Sequence, residues 1–488
     1  MADRKIVIIG GGLAGLAAGC YALKNDYQTT IVEHNAALGG VCTAWERPPY
    51  VIDGCIHWLT GGPYQRYYEE LEILPAVELR ILKAWTTYRD ARDGFECTFS
   101  DHLDDFTGTL CAVAPEDKAE LQRLRAAARA FHEASAPGDP DLSSVRESLR
   151  AIWDMRSIAS TFVHYRKPLG EWTREHLQSP RLQRMFSQVL PPDVPALFLL
   201  MVLGYLEQGY LSRPVGGTAA FRDALVKSYH QRGGEEKLHA TVDEILVTGD
   251  RVRGVRLSDG TELESELVIS TASAPETVLR LLGGTYEAEA TRERLAHWRL
   301  IEPIVLASFG VANRYEHAPG LMTLDHIEPF EIGGRAVESM YLRICNDDSS
   351  YAPAGHAVVQ AMLSTDYYDW WAMRGTGYHA AKQLVSDAIL EKLEPHFPGI
   401  RSAVRMTDVA TPLTYWRSTR SWRGAYEGWI PDREHLYGHI HKKLKGLTGL
   451  YMAGQWVEPG GGVPTAIASG RQVIELLCRD TREPFIAR

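Results

Sequence analysis

A short apolar run, Lys5-Ile-Val-Ile-Ile9, leads without a break into Gly10-Gly11-Gly12-Leu13-Ala14-Gly15 and then into a helical pattern through Leu16, Cys20 and Leu23. No other feature of the chain constrains its fold as strongly. A fully apolar run of this length is the pattern of a buried parallel strand. A second run, Thr29-Thr-Ile-Val-Glu33, ends in an acid 18 residues after Gly15. Together these segments read as a βαβ unit carrying a dinucleotide fingerprint. Gly10 allows the tight turn, Gly12 lets the backbone approach a pyrophosphate, and Gly15 lets helix pack on strand. The pyrophosphate is expected at the helix N-terminus, over the first-turn residues Leu13 and Ala14, where free N–H groups and the dipole favour an anion. Glu33, followed by His34, is expected to accept hydrogen bonds from the adenosine ribose hydroxyls.

A Leu38-Gly39-Gly40 step follows Glu33 within a few residues, with Val41 next. Here the chain resembles FAD-binding proteins of the glutathione-reductase type, in which a second glycine pair follows the ribose acid. No second GxGxxG lies between a strand and a helix downstream. The expectation is FAD as the only bound dinucleotide, with electrons exchanged with a substrate or a diffusible acceptor or donor.

Composition removes several other functions. Lys plus Arg total 52 against 62 Asp plus Glu, a net charge of −10, which makes a poor partner for nucleic-acid phosphates. Seven scattered cysteines without a CxxC form neither a disulfide framework nor a zinc site and suit a reducing cytoplasm. The N-terminus lacks a signal-peptide pattern, and the most apolar stretch, Val194 to Leu206, is shorter than the roughly 20 residues a spanning helix needs. The expected setting is cytoplasmic, with a membrane surface as the place where an apolar substrate is met.

Along the rest of the chain, Lys118 to Ala134 reads as helix, Ala136-Pro-Gly-Asp-Pro140 as a loop, and Leu149 to about Tyr210 as helical. Arg213-Pro-Val-Gly-Gly217 opens a helix from Thr218 to about Gln231. Three strand-like runs follow, Thr241–Val247, Arg251–Leu257 and Glu262–Ser270, joined by Gly249-Asp250 and Asp259-Gly260. They predict an antiparallel meander, with Val242 and Ser270 at the cofactor, and Leu267 to Ser270 returning to the parallel sheet. Residues 296–430 mix strands with one helix, Tyr378 to about Leu393. Gly449 to Gly454 reads as a last buried strand and Thr465 to Cys478 as a last helix. The expected fold is α/β: a discontinuous Rossmann-like FAD-binding domain of residues 1–90, 211–295 and 440–488. A mixed α+β substrate domain with a helical cap takes residues 91–210 and 296–439.

Between the last strand and last helix lies Gly460-Gly461-Gly462-Val463-Pro464. Glycines there permit close backbone approach, and proline is tolerated at a helix start. The helix N-terminus, with Gly454, Gly462, Val463 and Pro464 around it, is expected to face the flavin pyrimidine, where a positive dipole end favours the reduced state.

The chain resembles the carotenoid desaturase and isomerase flavoproteins: bacterial phytoene desaturases, prolycopene isomerases and retinol saturases. The resemblance rests on Gly10 to Gly15 with Glu33, on Leu38-Gly-Gly-Val-Cys-Thr43 and on Asp53-Gly-Cys-Ile-His-Trp58. It continues through Pro214-Val-Gly-Gly217, Val268 to Thr277, Thr411-Pro-Leu-Thr414 and Leu450 to Pro464. Three positions depart from the family pattern: Val41 replaces arginine, Ser273 aspartate, and Thr465 a small residue. The resemblance implies an FAD-dependent oxidoreductase acting on carbon–carbon bonds of an apolar polyene or isoprenoid by desaturation, isomerisation or saturation.

Such chemistry needs an apolar tunnel, for which Pro195 to Leu206 and Tyr205, Tyr210, Trp370, Trp371 and Trp416 are candidate walls, with plain core packing the alternative for each of them. His57, placed near the flavin by the resemblance, is the expected acid or base. Its structural alternative is a histidine held by a backbone carbonyl. Glu458 is a second candidate, otherwise a solvated loop acid. His435, His439 and His441 lack a matching ligand set and read as a surface loop, so no metal is expected. Two rival readings remain. Trp422-Arg-Gly-Ala-Tyr426 is similar to the aromatic residues that flank the amine in flavin amine oxidases, and a flavoprotein without turnover has intact nucleotide motifs against it.

Overall fold

The computed structural model describes residues 4–132, 139–144, 146, 159–431 and 440–488. The first strand, β1 (Lys5–Ile9), the helix α1 (Leu13–Lys24) and the second strand β2 (Gln28–Val32) form the βαβ unit that the glycine spacing predicts. β1 lies at the centre of a parallel five-stranded sheet. Its neighbours are β2 and Leu267–Ser270; Glu235–Lys237 lies outside β2 and Leu450–Met452 outside Leu267–Ser270. Strands from three distant parts of the chain thus share one sheet.

Glycine size fixes how helices sit on this sheet. A Cβ at Gly15 would come within 2.1 Å of the Gly10 carbonyl oxygen, and one at Gly470 within 2.5 Å of the Ala14 carbonyl oxygen. Only a residue without a side chain lets α1 touch both the turn before it and the C-terminal helix Val463–Thr481. Ile8, Leu16, Ala17, Ile31, Ile474 and Leu477 close the core between these elements.

The meander Val242–Thr248, Arg251–Leu257 and Glu262–Glu264 is antiparallel, as the two hairpin dipeptides predict, with Gly249 at φ 64° and Gly260 at φ 87°. The second block is a seven-stranded sheet in the order 404–410, 304–311, 357–364, 335–345, 321–332, 84–90 and 96–100. Strand Ala84–Asp90 pairs in parallel with Leu321–Ile332, so residues assigned from sequence to the nucleotide side belong to this other sheet. The helix Tyr378–Leu393 packs on it, burying Val385, Ile389 and Leu393.

A helical layer, including Leu103–Val113, Lys118–His132, Pro180–Val189 and Leu197–Glu207, covers the edge of the seven-stranded sheet. The expected loop at 136–140 and the start of the helical run at Leu149 lie mostly outside the described residues. No described helix is long and apolar enough to cross a membrane.

A small hairpin, β3 (Ala44–Arg47) and β4 (Tyr50–Asp53), joins the two blocks. Asp53, at its end, is fully buried. Its carboxylate accepts the Thr218 N–H at 2.9 Å, the Tyr351 hydroxyl at 3.0 Å and the Cys55 N–H at 3.1 Å, and lies 3.3 Å from the Arg343 guanidinium. Burial alone would raise its pKa, but Arg343 and the Thr218 hydrogen bonds hold it down at about 2.

Candidate active site

Open α/β sheets bind ligands beyond the carboxyl ends of their strands. At that edge here lies an open cleft of about 1270 Å³, the solvent at its mouth included. It is lined by the turns that follow β1, β2, Leu267–Ser270 and Leu450–Met452, together with two helix N-termini.

At one end, Gly10 and Gly12 border the cleft with Leu13 and Ala14 in the first turn of α1. The cap residue Gly12 has extended backbone and no side-chain cap, so the first-turn N–H groups stay available. A Cβ on Gly12 would meet nothing nearer than the Gly40 Cα at 3.9 Å, which leaves that side of the turn open to a ligand. Gly39, Gly40 and Val41 form the opposite lip. Gly15, expected with the rest of the fingerprint at the cofactor, is not part of the lining; it serves the packing of helix on strand.

Glu33 also lines the cleft. One carboxylate oxygen accepts the Gly11 N–H at 2.8 Å, and the other accepts the Asn35 backbone N–H at 2.9 Å and side-chain amide at 2.7 Å. These bonds fix the carboxylate against the glycine turn and leave lone pairs for further donors. His34 beside it is held by Thr241 Oγ1 and the Arg417 carbonyl, each at 3.1 Å, and Val242 completes this wall.

Ser270 departs from expectation. It is fully buried, its hydroxyl shares a 2.7 Å hydrogen bond with Thr277, and the cleft is lined instead by Thr271, Ala272 and Ser273. The strand's alternation turns the Ser270 side chain into the protein and delivers the next residues to the opening.

At the other end, Gly454, Gly462 and Val463 border the cleft where Val463–Thr481 begins. Gly462 caps this 19-residue helix at φ 88° with no side-chain cap. Pro464 occupies the first turn outside the lining. The two uncapped helix N-termini, at Gly12 and Gly462, therefore open on one cavity.

The catalytic expectation needs correction. His57 does not line the cleft; its ring lies beside Tyr341 at 5.8 Å between centroids. Burial, reinforced by the Arg343 charge, pushes its pKa down to about 3, so near neutrality it carries no ionisable proton to donate. Glu458 is not a solvated acid: it pairs with Lys442, which is buried and also pairs with Asp139 at 2.5 Å. His435 and His439 lie outside the described residues, and His441 pairs with Asp141 at 2.7 Å. Among the described residues no cluster of three metal-ligating side chains occurs.

Among the candidate tunnel walls, most of the apolar helix, Tyr205 and Trp370 are core, while Tyr210, Trp371 and Trp416 are half-buried. Leu199, Leu200, Leu203 and Leu206 are fully buried in the helical layer, and Trp370 is fully buried with its indole N–H donating to Thr365 at 2.9 Å. Trp371 packs edge-on against Trp416 at 5.4 Å, and none of these aromatics lines the cleft. An apolar run satisfies its period equally well by packing inward, which is what occurs.

Glu427 is the group that the sequence reading missed. It lines the cleft beside the terminal glycine loop, where a Cβ on Gly461 would lie 3.2 Å from the Glu427 Cβ. Burial pushes its carboxyl pKa up to about 7, and no hydrogen bond or ion pair with the described residues relieves it. The available signal was its setting, an acid inside Ala425-Tyr-Glu-Gly-Trp-Ile430, where a charge has little water to meet. Next to it, Tyr426 lines the cleft and donates its hydroxyl to the Cys55 carbonyl at 3.1 Å. Trp422, its proposed amine-oxidase partner, does not line the cleft.

Known proteins resemble this chain over nearly its whole length. The family described as flavin containing amine oxidoreductase matches residues 13–475. A phytoene desaturase (neurosporene-forming) of Rhodobacter capsulatus is 26% identical, over 97% of this chain and 94% of that protein. A chloroplastic prolycopene isomerase of Daucus carota is 29% identical, over 96% of this chain and 79% of that protein. Among solved structures, an oxidoreductase from Methanosarcina mazei superposes with a TM-score of 0.63 at 18% identity, over 96% of this chain and all of that one.

Proposed function

The chain belongs to the flavin containing amine oxidoreductase family, and on that premise we propose that it is an FAD-dependent oxidoreductase acting on carbon–carbon bonds of an apolar polyene or isoprenoid. The observation that carries the reading is the single cleft onto which two uncapped, glycine-bordered helix N-termini open. Glu33 near the first of them and Gly462 at the second favour a dinucleotide over a mononucleotide, since each end offers separate recognition. Gly12 fits such an occupant, because the space its missing side chain leaves open is the cleft itself.

When bound, FAD supplies two-electron exchange with a carbon–carbon bond. The chain's own groups bind, orient and handle the proton. First-turn N–H groups of α1 hold the pyrophosphate, Glu33 the ribose, and the N-terminus of Val463–Thr481 the electron-rich end of the flavin. Glu427 takes up the proton released in desaturation or returns it in the opposite direction. With a pKa of about 7 it is populated in both forms near neutrality, the condition that favours acid–base work. Its side chain lies against the Gly461 turn of the terminal glycine loop.

The substrate class is supported by relatives named as phytoene desaturases and prolycopene isomerases across nearly the whole chain. The amine reading is weakened because only one of its two flanking aromatics, Tyr426, reaches the cleft. Electrons pass to or from a diffusible partner, and the enzyme works in the cytoplasm, meeting its substrate at a membrane surface.

The test reconstitutes flavin-free protein separately with FAD and with FMN, then presents a cis-polyene in liposomes or simple amines without oxygen. Retention of FAD and a response to the polyene support the reading. Retention of FMN alone overturns the cofactor, and flavin bleaching by amines alone overturns the substrate class.

A further inference from the structure

We propose that Cys42 and Cys55 are a redox-active thiol pair that closes to a cross-strand disulfide in the wall of the flavin cleft. In the β3–β4 hairpin, Ala44 faces Asp53, Trp45 faces Ile52 and Arg47 faces Tyr50. The ladder continues one step beyond the strands, where the Thr43 carbonyl accepts the Gly54 N–H at 3.0 Å. Carried one step further, the same register sets position 42 against position 55, where both segments bend out of the strands. Directly opposed residues have Cα atoms about 4.5–5.5 Å apart, inside the roughly 4.4–6.8 Å that a disulfide spans.

Both cysteines line the cleft, and both are free thiols in the structure. They are also close neighbours: Cys55 and burial together push the Cys42 thiol well above its ordinary value. The two differ in access. Cys42 is 4% exposed, whereas Cys55 is half-buried and its carbonyl is held by Tyr426. Cys55 is therefore the thiol a small molecule reaches first through the cleft, and Cys42 the one that resolves.

The oxidant is a low-molecular-weight disulfide. Cys55 loses its proton to water and attacks one sulfur of the disulfide, forming a mixed disulfide and releasing one thiolate, which takes up a proton. Cys42 then gives up its proton, attacks the Cys55 sulfur and releases the second thiol. Two protein thiols are oxidised to one disulfide while one small disulfide is reduced to two thiols. Because Cys42 follows the glycine lip Gly39-Gly40 and Gly40 lies against Gly12, the bond would fix the cleft wall at the point where α1 begins.

The full chain, with and without bound flavin, is incubated anaerobically with a small disulfide; remaining thiols are alkylated and located by peptide mass spectrometry. The expected result is loss of alkylation at positions 42 and 55 together, with a mass decrease of two hydrogens, reversed by excess dithiothreitol. Cys42→Ser is expected to stop at a mixed disulfide on Cys55, and Cys55→Ser to leave Cys42 alkylatable. Persistence of both thiols in the flavin-free chain, or arrest of the native chain at a mixed disulfide, overturns the proposal.

Discussion

Asp53 and Arg343 form a fully buried ion pair at 3.3 Å that ties the hairpin beside the cleft to the strand Arg335–Cys345 of the seven-stranded sheet. Asp53 also holds the first turn of the helix Gly217–Gln231 through the Thr218 N–H. One carboxylate thus links three elements from distant parts of the chain.

Removing that charge strands a buried guanidinium. Asp53→Asn is expected to lower stability by about 3–5 kcal/mol in chemical denaturation, while pairing it with Arg343→Met returns a substantial part of the loss. An Asp53→Asn change of less than about 1 kcal/mol would mean that the pair does not join the blocks. The folded-state pKa of about 2 lies below the ordinary aspartate value of 3.8. The stabilisation is therefore complete above pH 3.8 and is lost as pH falls through about 2.

Glu427 has the opposite sign. Its folded-state pKa of about 7 lies above the ordinary value of 4.5, so its contribution to stability is fully present below pH 4.5 and fades as pH rises through 7. Thermal unfolding of flavin-free protein between pH 5 and 8 (roughly the window set by these values) is expected to decline more steeply than that of Glu427→Gln. Parallel curves would show that the carboxyl ionises without cost.

The glycines of the first turn separate folding from binding. Gly12→Ala is expected to leave the flavin-free protein about as stable as before, because the new methyl group meets nothing closer than 3.9 Å, yet to weaken flavin retention roughly tenfold or more. Gly15→Ala forces a contact of 2.1 Å with the Gly10 carbonyl and is expected to cost about 1–3 kcal/mol of stability. Fluorescence titration of flavin and denaturation of the same samples distinguish the two effects.

Glu33→Ala removes an anchored carboxylate from the end of the cleft where the proposed function puts the ribose. The expected loss of FAD affinity is about 10- to 100-fold, from hydrogen bonds to a charged acceptor. Unchanged retention would place the ribose elsewhere.

Much of this fold was legible because it is written in local spacing. The glycines of the first turn, the Gly249-Asp250 and Asp259-Gly260 hairpins and the apolar run at Leu450 each specify structure within a few residues. Long-range placement was not legible in the same way. Strand Ala84–Asp90 reads equally well in either sheet, and only its pairing with Leu321–Ile332 decides. The motif places His57 beside the flavin, but its chemistry is set by burial, reinforced by Arg343 from far along the chain. Glu427 was overlooked because a single acid has no spacing; its role follows from burial beside the Gly461 loop.

The central claim is tested most directly by one anaerobic experiment that follows flavin absorbance and polyene products together, with flavin either oxidised or reduced beforehand. The expected result is one of three paired outcomes: bleaching of oxidised flavin with a more conjugated product, geometric change only after reduction, or loss of conjugation at the expense of reduced flavin. An inert polyene in both redox states, with bleaching by simple amines in the same preparation, would contradict it.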